Sequence, residues 1–357
     1  MDSRYLQDKE ELKQSAQSVD EERRNFLTAG LVGGAVAAGT LLAGAAQAQQ
    51  VAQATPAAFW PHPKWGKDDV AGASNWITPA KVLDAAKWIK DGKIYRIGRV
   101  YESGMPKFGE RAFALRIPGS PTGGPFGSNK LVYHDEYLAT EIGQTGTQFD
   151  GLGHIGIQLG KDGDKNEMRY YNGHTEQEIA TAYGLNKIGV EHVKPFFTRG
   201  HLFDVKAHKG AMMEAGQEVT VADLRACLQK QNMQEADVKE GDAVFFNTGW
   251  GELWMKNNDK FNGGCPGIGL EVAKWCIDKG VCLTGADQWA TEVVPNPDKN
   301  LAFPVHGELI CKNGIFNHEN LDFTGLLADR KYQFVYIFSP APIKGATGSN
   351  GGPIALT

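Results

Sequence analysis

The densest group of chemically capable side chains lies in one run, Gln144-Thr145-Gly146-Thr147-Gln148-Phe149-Asp150-Gly151-Leu152-Gly153-His154. Gln144, Gln148, Asp150 and His154 recur at even spacing, so an extended backbone would carry them on one side. Carboxylate, imidazole and amide oxygen are the donors a hard or borderline cation takes, and an imidazole with an ordinary pKa suits proton transfer near neutral pH. Gly146, Gly151 and Gly153 interrupt the run, as where a strand bends into a loop that a ligand approaches closely. A glycine-rich turn held by local side-chain hydrogen bonds fits the same residues.

Further along stand Phe303-Pro304-Val305-His306 and, about a dozen residues later, Glu319-Asn320-Leu321. With these two segments the chain resembles the cyclase-type metal-dependent hydrolases, the family of kynurenine formamidase and isatin hydrolase. Their signature is His-x-Gly-Thr-His-x-Asp-x-x-x-His. Gly146, Thr147, Asp150 and His154 match it, whereas Gln144 and Gln148 stand where the family has histidines. Trp65-Gly66, Asn75 to Pro79, Gly241 to Val244, Thr248 to Trp250 and Gly285-Ala286-Asp287 extend the likeness over residues 60–356. Tyr171-Asn172-Gly173 and the Trp-Gly arm place it nearest a larger-chain branch.

The resemblance implies an α/β fold, a single mixed-sheet domain of the swivelling β/β/α-like type with an N-terminal arm. It also implies one divalent metal, with Asp150, His306 and Glu319 as ligands and His154 as the proton-transfer group. Gln144 and Gln148 do not carry over as imidazoles; their amide oxygens are neutral, weak ligands, which tilts preference from Zn²⁺ toward Mn²⁺. The implied activity is hydrolysis of a cyclic or formamide-like amide or a lactone by metal-activated water. A binding protein without turnover, and a metal-assisted lyase or dehydratase, are the rival readings. A homo-oligomer, dimer or tetramer, is implied as well. His318 is a rival ligand to Glu319; since consecutive strand residues face opposite ways, it is read instead as a surface or outer-sphere histidine. Trp60, Trp65, Trp76 and Trp289 are possible cavity aromatics, although core packing is the commoner fate of tryptophan.

The elements that must position these groups are mostly strands. Ile94–Ile97, Leu202–Val205, Ala243–Phe246 and Tyr332–Phe338 are short apolar or alternating runs bounded by Gly, Asp or Pro. Thr78-Pro79 opens a helix that Gly92 ends, and Thr220–Gln231 and Leu270–Lys279 carry apolar residues at helical spacing. Residues 49–94 read as an arm pinned by aromatics plus this first helix, and 95–357 as the catalytic domain.

Residues 1–48 read as a twin-arginine signal: Arg23-Arg24-Asn25-Phe26-Leu27, an uncharged stretch from Ala29 to Ala46, and a small-residue site at Ala46-Gln47-Ala48. The expectation is a periplasmic or secreted protein that meets the twin-arginine translocation machinery folded and metal-loaded. With 37 Lys+Arg against 42 Asp+Glu, the chain lacks the basic excess of nucleic-acid binders, so the expected partner is a small-molecule substrate. Cys227, Cys265, Cys276, Cys282 and Cys311 show no ligand spacing and read as buried hydrophobes without a disulfide framework. No P-loop, G-x-G-x-x-G in a strand-to-helix frame or G-x-S-x-G is present, which argues against nucleotide binding and a serine-hydrolase elbow.

Overall fold

A computed structural model describes residues 59–357; residues 1–48, read above as a twin-arginine signal, and residues 49–58 lie outside the described residues. The main sheet has nine strands: β1 (Ile94–Arg96), β2 (Gln148–Asp150), β3 (Phe196–Asp204), β4 (Ala243–Asn247), β5 (Leu283–Ala286), β6 (Phe316–Glu319), β7 (Gln333–Phe338), β8 (Gly348–Asn350) and β9 (Ile354–Leu356). Their spatial order is β1-β9-β7-β3-β4-β5-β6-β2-β8. β3 to β6 run parallel, and every other pairing is antiparallel.

Parallel neighbours require crossovers, and helices supply them. α1 (Pro79–Ala86) precedes the sheet; of the crossover helices, α2 (Val221–Lys230) links β3 to β4, and α3 (Leu270–Lys279) links β4 to β5. Thr78 caps α1 by accepting the Lys81 N–H at 3.2 Å, and Pro79 sits where its missing N–H costs nothing. Thr220 and Asp223 form a capping box at α2. α2 buries Leu224, Cys227 and Leu228, and α3 buries Val272, Ala273 and Cys276, the apolar stripes their spacing predicts. β4 is buried at every position, as a central strand covered on both faces must be. From β5 the chain passes through a helical turn, Pro304–His306, into a π-helical segment, Gly307–Lys312, before entering β6.

Below the edge formed by β6 and β2 lies an aromatic layer. Phe149 stacks on Phe316 at 5.2 Å and packs against Phe196 and Phe338. Each such ring contributes about 1.5–3 kcal/mol by burial. A one-residue slip of β2 would drive Asp150 into these rings and Phe149 out of them, so the packing locks the register. His318 belongs to this layer, which corrects its reading as a surface or outer-sphere histidine. It is fully buried, with Nδ1 2.6 Å from the Tyr336 hydroxyl and its ring 4.5 Å from Phe338. Burial pushes its pKa down to about 3.

The arm is held as a folded strap. Asn172, at φ +60°, accepts the His62 N–H and donates to the Gly66 and Asp69 carbonyls. Trp60 donates to the Cys311 carbonyl, and Trp65 meets Trp76 edge-on at 5.2 Å. These three tryptophans therefore pack the arm, and Trp289 alone of the four lines the cavity described below. All five cysteines are buried and free. No helix among the described residues is long and apolar enough to cross a membrane.

Candidate active site

β6 lies antiparallel to β2 with Asn317 opposite Asp150, His318 opposite Phe149 and Glu319 opposite Gln148. Because side chains alternate, Gln148, Asp150, Asn317 and Glu319 share the face that looks away from the aromatic layer. His306 joins them from the helical turn after Phe303. The ligating atoms of Asp150, His306 and Glu319 all lie within 4.8 Å of one another, and all three residues are buried. His306 Nε2 is 3.4 Å from Glu319 Oε1 and 3.7 Å from Asp150 Oδ2.

The even spacing of the 144–154 run does not come from one long strand. Only Gln148–Asp150 is extended. Gln144 arrives through a turn closed by its N–H on the Glu141 carbonyl, and His154 through a turn closed on the Gly151 carbonyl. Gly146, at φ +66°, makes the bend before β2, where a Cβ would stand 2.5 Å from the Tyr101 ring. The turns still deliver both side chains to the cluster: Gln144 Nε2 donates to Asp150 Oδ1 at 3.0 Å and lies 3.4 Å from His154 Nδ1. Gln148 Nε2 donates to Glu319 Oε2 at 2.6 Å.

Two further residues belong to the cluster without any motif to mark them. Asn317 donates to Glu319 Oε1 at 2.6 Å and to Asp150 Oδ2 at 3.2 Å, tying the two carboxylates together. Glu292, fully buried, accepts from the backbone N–H of His306 at 2.9 Å and of Val305 at 3.2 Å, and faces His306 Nδ1 at 2.5 Å. A carboxylate on the far nitrogen of an imidazole fixes ring orientation and leaves Nε2 for the site. The period-2 pattern of β6 was the available signal for Asn317; Glu292 lies in a loop and has none.

Charge explains the titration of the group. Burial, and then the charge of Asp150, push Glu319 up to about 7. Burial also opposes ionisation of Asp150, but His154 and His306 outweigh it and hold that carboxyl below its usual range. For His306 burial acts downward, yet Asp150, Glu292 and Glu319 outweigh it and raise the imidazole well above its ordinary value. Burial lowers the pKa of His154, with His306 and Arg111 adding to the effect against Asp150, so the ring is neutral at pH 7.

The donor set fits a divalent cation. Asp150, Glu292 and Glu319 put three carboxylates around one imidazole where water is nearly excluded, an imbalance that a cation relieves. One carboxylate on each strand and one imidazole are the mixed oxygen and nitrogen donors such ions take. A half-turn of the Gln144 amide exchanges nitrogen for oxygen beside Asp150, and one of the Gln148 amide does so beside Glu319.

His306 and Glu319, with Gln144 and Gln148, floor a cavity of about 180 Å³ whose wall includes Phe108, Arg111, His154, Trp289 and Phe303, and Asp150 lies buried behind them. His134 is exposed and takes no part in it.

Comparison with known proteins follows the same outline. No curated protein matches the chain. A crystal structure described as a novel cyclase is 30% identical, covers 82% of this chain and 98% of its own, and superposes with a TM-score of 0.71. Isatin hydrolase A from Ralstonia solanacearum (18% identity, 79% of this chain, 97% of that one, TM-score 0.55) and isatin hydrolase A from Labrenzia aggregata bound to benzyl benzoate (18%, 74% and 93%, TM-score 0.54) share the fold. The Cyclase family model matches residues 95–293, more than half of the chain. With its curled mixed sheet and the likeness of the novel cyclase over most of its length, this chain belongs to the cyclase family.

Proposed function

We propose that the protein is a metal-dependent hydrolase that cleaves a cyclic or formamide-like amide, or a lactone. The observation that carries this reading is the convergence of Asp150, His306 and Glu319, within 4.8 Å, beside a neutral His154 in one small cavity. Asp150, His306 and Glu319 would hold the ion, with Gln144 and Gln148 able to add amide oxygens; Mn²⁺ is favoured over Zn²⁺ because those two donors are hard and neutral. A divalent cation there supplies a water of lowered pKa and a Lewis acid for the scissile carbonyl. His154 takes the proton of the attacking water at Nε2, the ring atom 3.7 Å from Asp150 Oδ1, where the carboxylate stabilises the imidazolium. Nε2 is free to accept when the neutral ring carries its proton on Nδ1, with the Gln144 amide turned so that its oxygen accepts that N–H. The same imidazolium returns the proton to the leaving nitrogen or oxygen. Glu292 keeps His306 turned toward the cluster. The export signal read in residues 1–48 places this chemistry in the periplasm or outside the cell.

The test is His154→Ala, assayed on a panel of amides and lactones with metal content measured in parallel. Metal content should stay at the wild-type level while turnover falls by roughly two to four orders of magnitude. Undiminished turnover removes His154 from the mechanism. A wild-type protein that binds metal and small amides but releases no acid product is a binding protein, and an unsaturated product identifies a lyase.

A further inference from the structure

We infer that Arg111 makes this site selective for acidic substrates: small planar ring compounds whose amide or lactone is accompanied by a carboxylate or a comparable anion. The inference rests on the hydrolase reading for the bond that is cleaved, and on the cavity wall for the group that is recognised.

Arg111 is half-buried, lines the cavity, and makes no hydrogen bond or ion pair with any described residue. It is also the only arginine or lysine among the lining residues. An arginine fork left open at the wall of a cavity is a ready partner for a planar anion.

Its position is built rather than accidental. The next residue, Ala112, donates its N–H to the Glu141 carboxylate at 2.7 Å, and Phe113 pairs with Thr140 in a two-stranded sheet. Thr140 meets Thr145 hydroxyl to hydroxyl at 2.7 Å, so the partner of the strand that follows Arg111 is tied to the loop that carries Gln144. The guanidinium lies 5.5 Å from the Phe108 centroid. Phe108 stacks on Trp289 at 4.5 Å, Trp289 meets Phe303 edge-on, and Phe303 stands perpendicular to His306 at 5.8 Å. A continuous aromatic band therefore leads from the cation to the cluster. A flat ring laid along that band has its anion at Arg111 and its reacting amide or lactone at the His306 and Glu319 end. The volume of about 180 Å³ suits one small ring with short substituents.

Calorimetric titration with phthalamate and benzamide, aromatic amides that differ by one carboxylate, tests this on the metal-loaded full chain. Phthalamate should bind about 30-fold more tightly, the worth of a charge-assisted bidentate contact. In Arg111→Met the preference should fall below about threefold with benzamide affinity unchanged, and Arg111→Lys should keep part of it. The preference should persist after chelation, because a carboxylate held by the ion instead would lose it there. Equal affinities in the wild type, no phthalamate binding, or a preference that survives in folded Arg111→Met overturns the inference; should that variant not fold, loss of the wild-type preference on chelation does so. A protein with the preference but no hydrolysis refutes the hydrolase reading and leaves Arg111's role standing. Equal kcat/KM for acidic and neutral amides does the reverse.

Discussion

Replacing Glu292 by glutamine probes the part of the site that no motif marks. The carboxylate accepts three N–H groups, from the backbone of Val305 and His306 and from His306 Nδ1. Glutamine keeps the shape and one acceptor oxygen, but its NH₂ faces one of those donors, so at least one buried N–H loses its partner, at a cost of about 1–3 kcal/mol. For a domain of this size that is a fall in Tm of roughly 2–4 °C per kcal/mol. The larger effect is on His306: without a carboxylate at Nδ1, ring orientation and basicity relax, and metal affinity should drop about 10–100-fold, the usual consequence of removing such a partner. Calorimetric titration of chelated protein with Mn²⁺, alongside thermal melts, separates the two effects. Wild-type Mn²⁺ affinity in a variant whose Tm has fallen would refute the argument, because Glu292 would then support the loop without orienting a ligand.

Two further outcomes follow from the donor set. Gln148→His restores an imidazole opposite Glu319 and should shift the Zn²⁺-over-Mn²⁺ affinity ratio upward by about tenfold or more, read by competition titration. Chelated protein should lose stability as pH rises from 5.5 to 8. Glu319, whose pKa is raised to about 7, must ionise beside Asp150 across that range, and His306, raised well above its ordinary value, keeps a proton that the unfolded chain sheds there. Added Mn²⁺ should weaken or reverse that fall, because its ligands bind deprotonated; an identical melt at both pH values without metal would contradict the charge imbalance.

Much of the architecture is written in local pattern. Thr78-Pro79 and Thr220 to Asp223 announce helix starts because a hydroxyl at the N-cap satisfies an otherwise orphaned N–H, whatever the rest of the fold does. The apolar runs at Ala243 and Gln333 are strands because only burial in a sheet satisfies both their backbone and their side chains. Asp150 and His154 are visible as residues able to do chemistry from type and spacing, and His306 and Glu319 through the family resemblance. What spacing cannot supply is the meeting of segments more than 150 positions apart, which depends on β6 lying antiparallel to β2 in one register. That register is set by Phe149, Phe316 and Phe338 on the opposite face, a long-range packing result. For the same reason His318 is a core residue, Glu292 stands behind His306, and Arg111 faces the cavity. Each has an ordinary sequence neighbourhood, and its role arises from what the folded chain places next to it, because burial and charge act through space and leave no period along the chain.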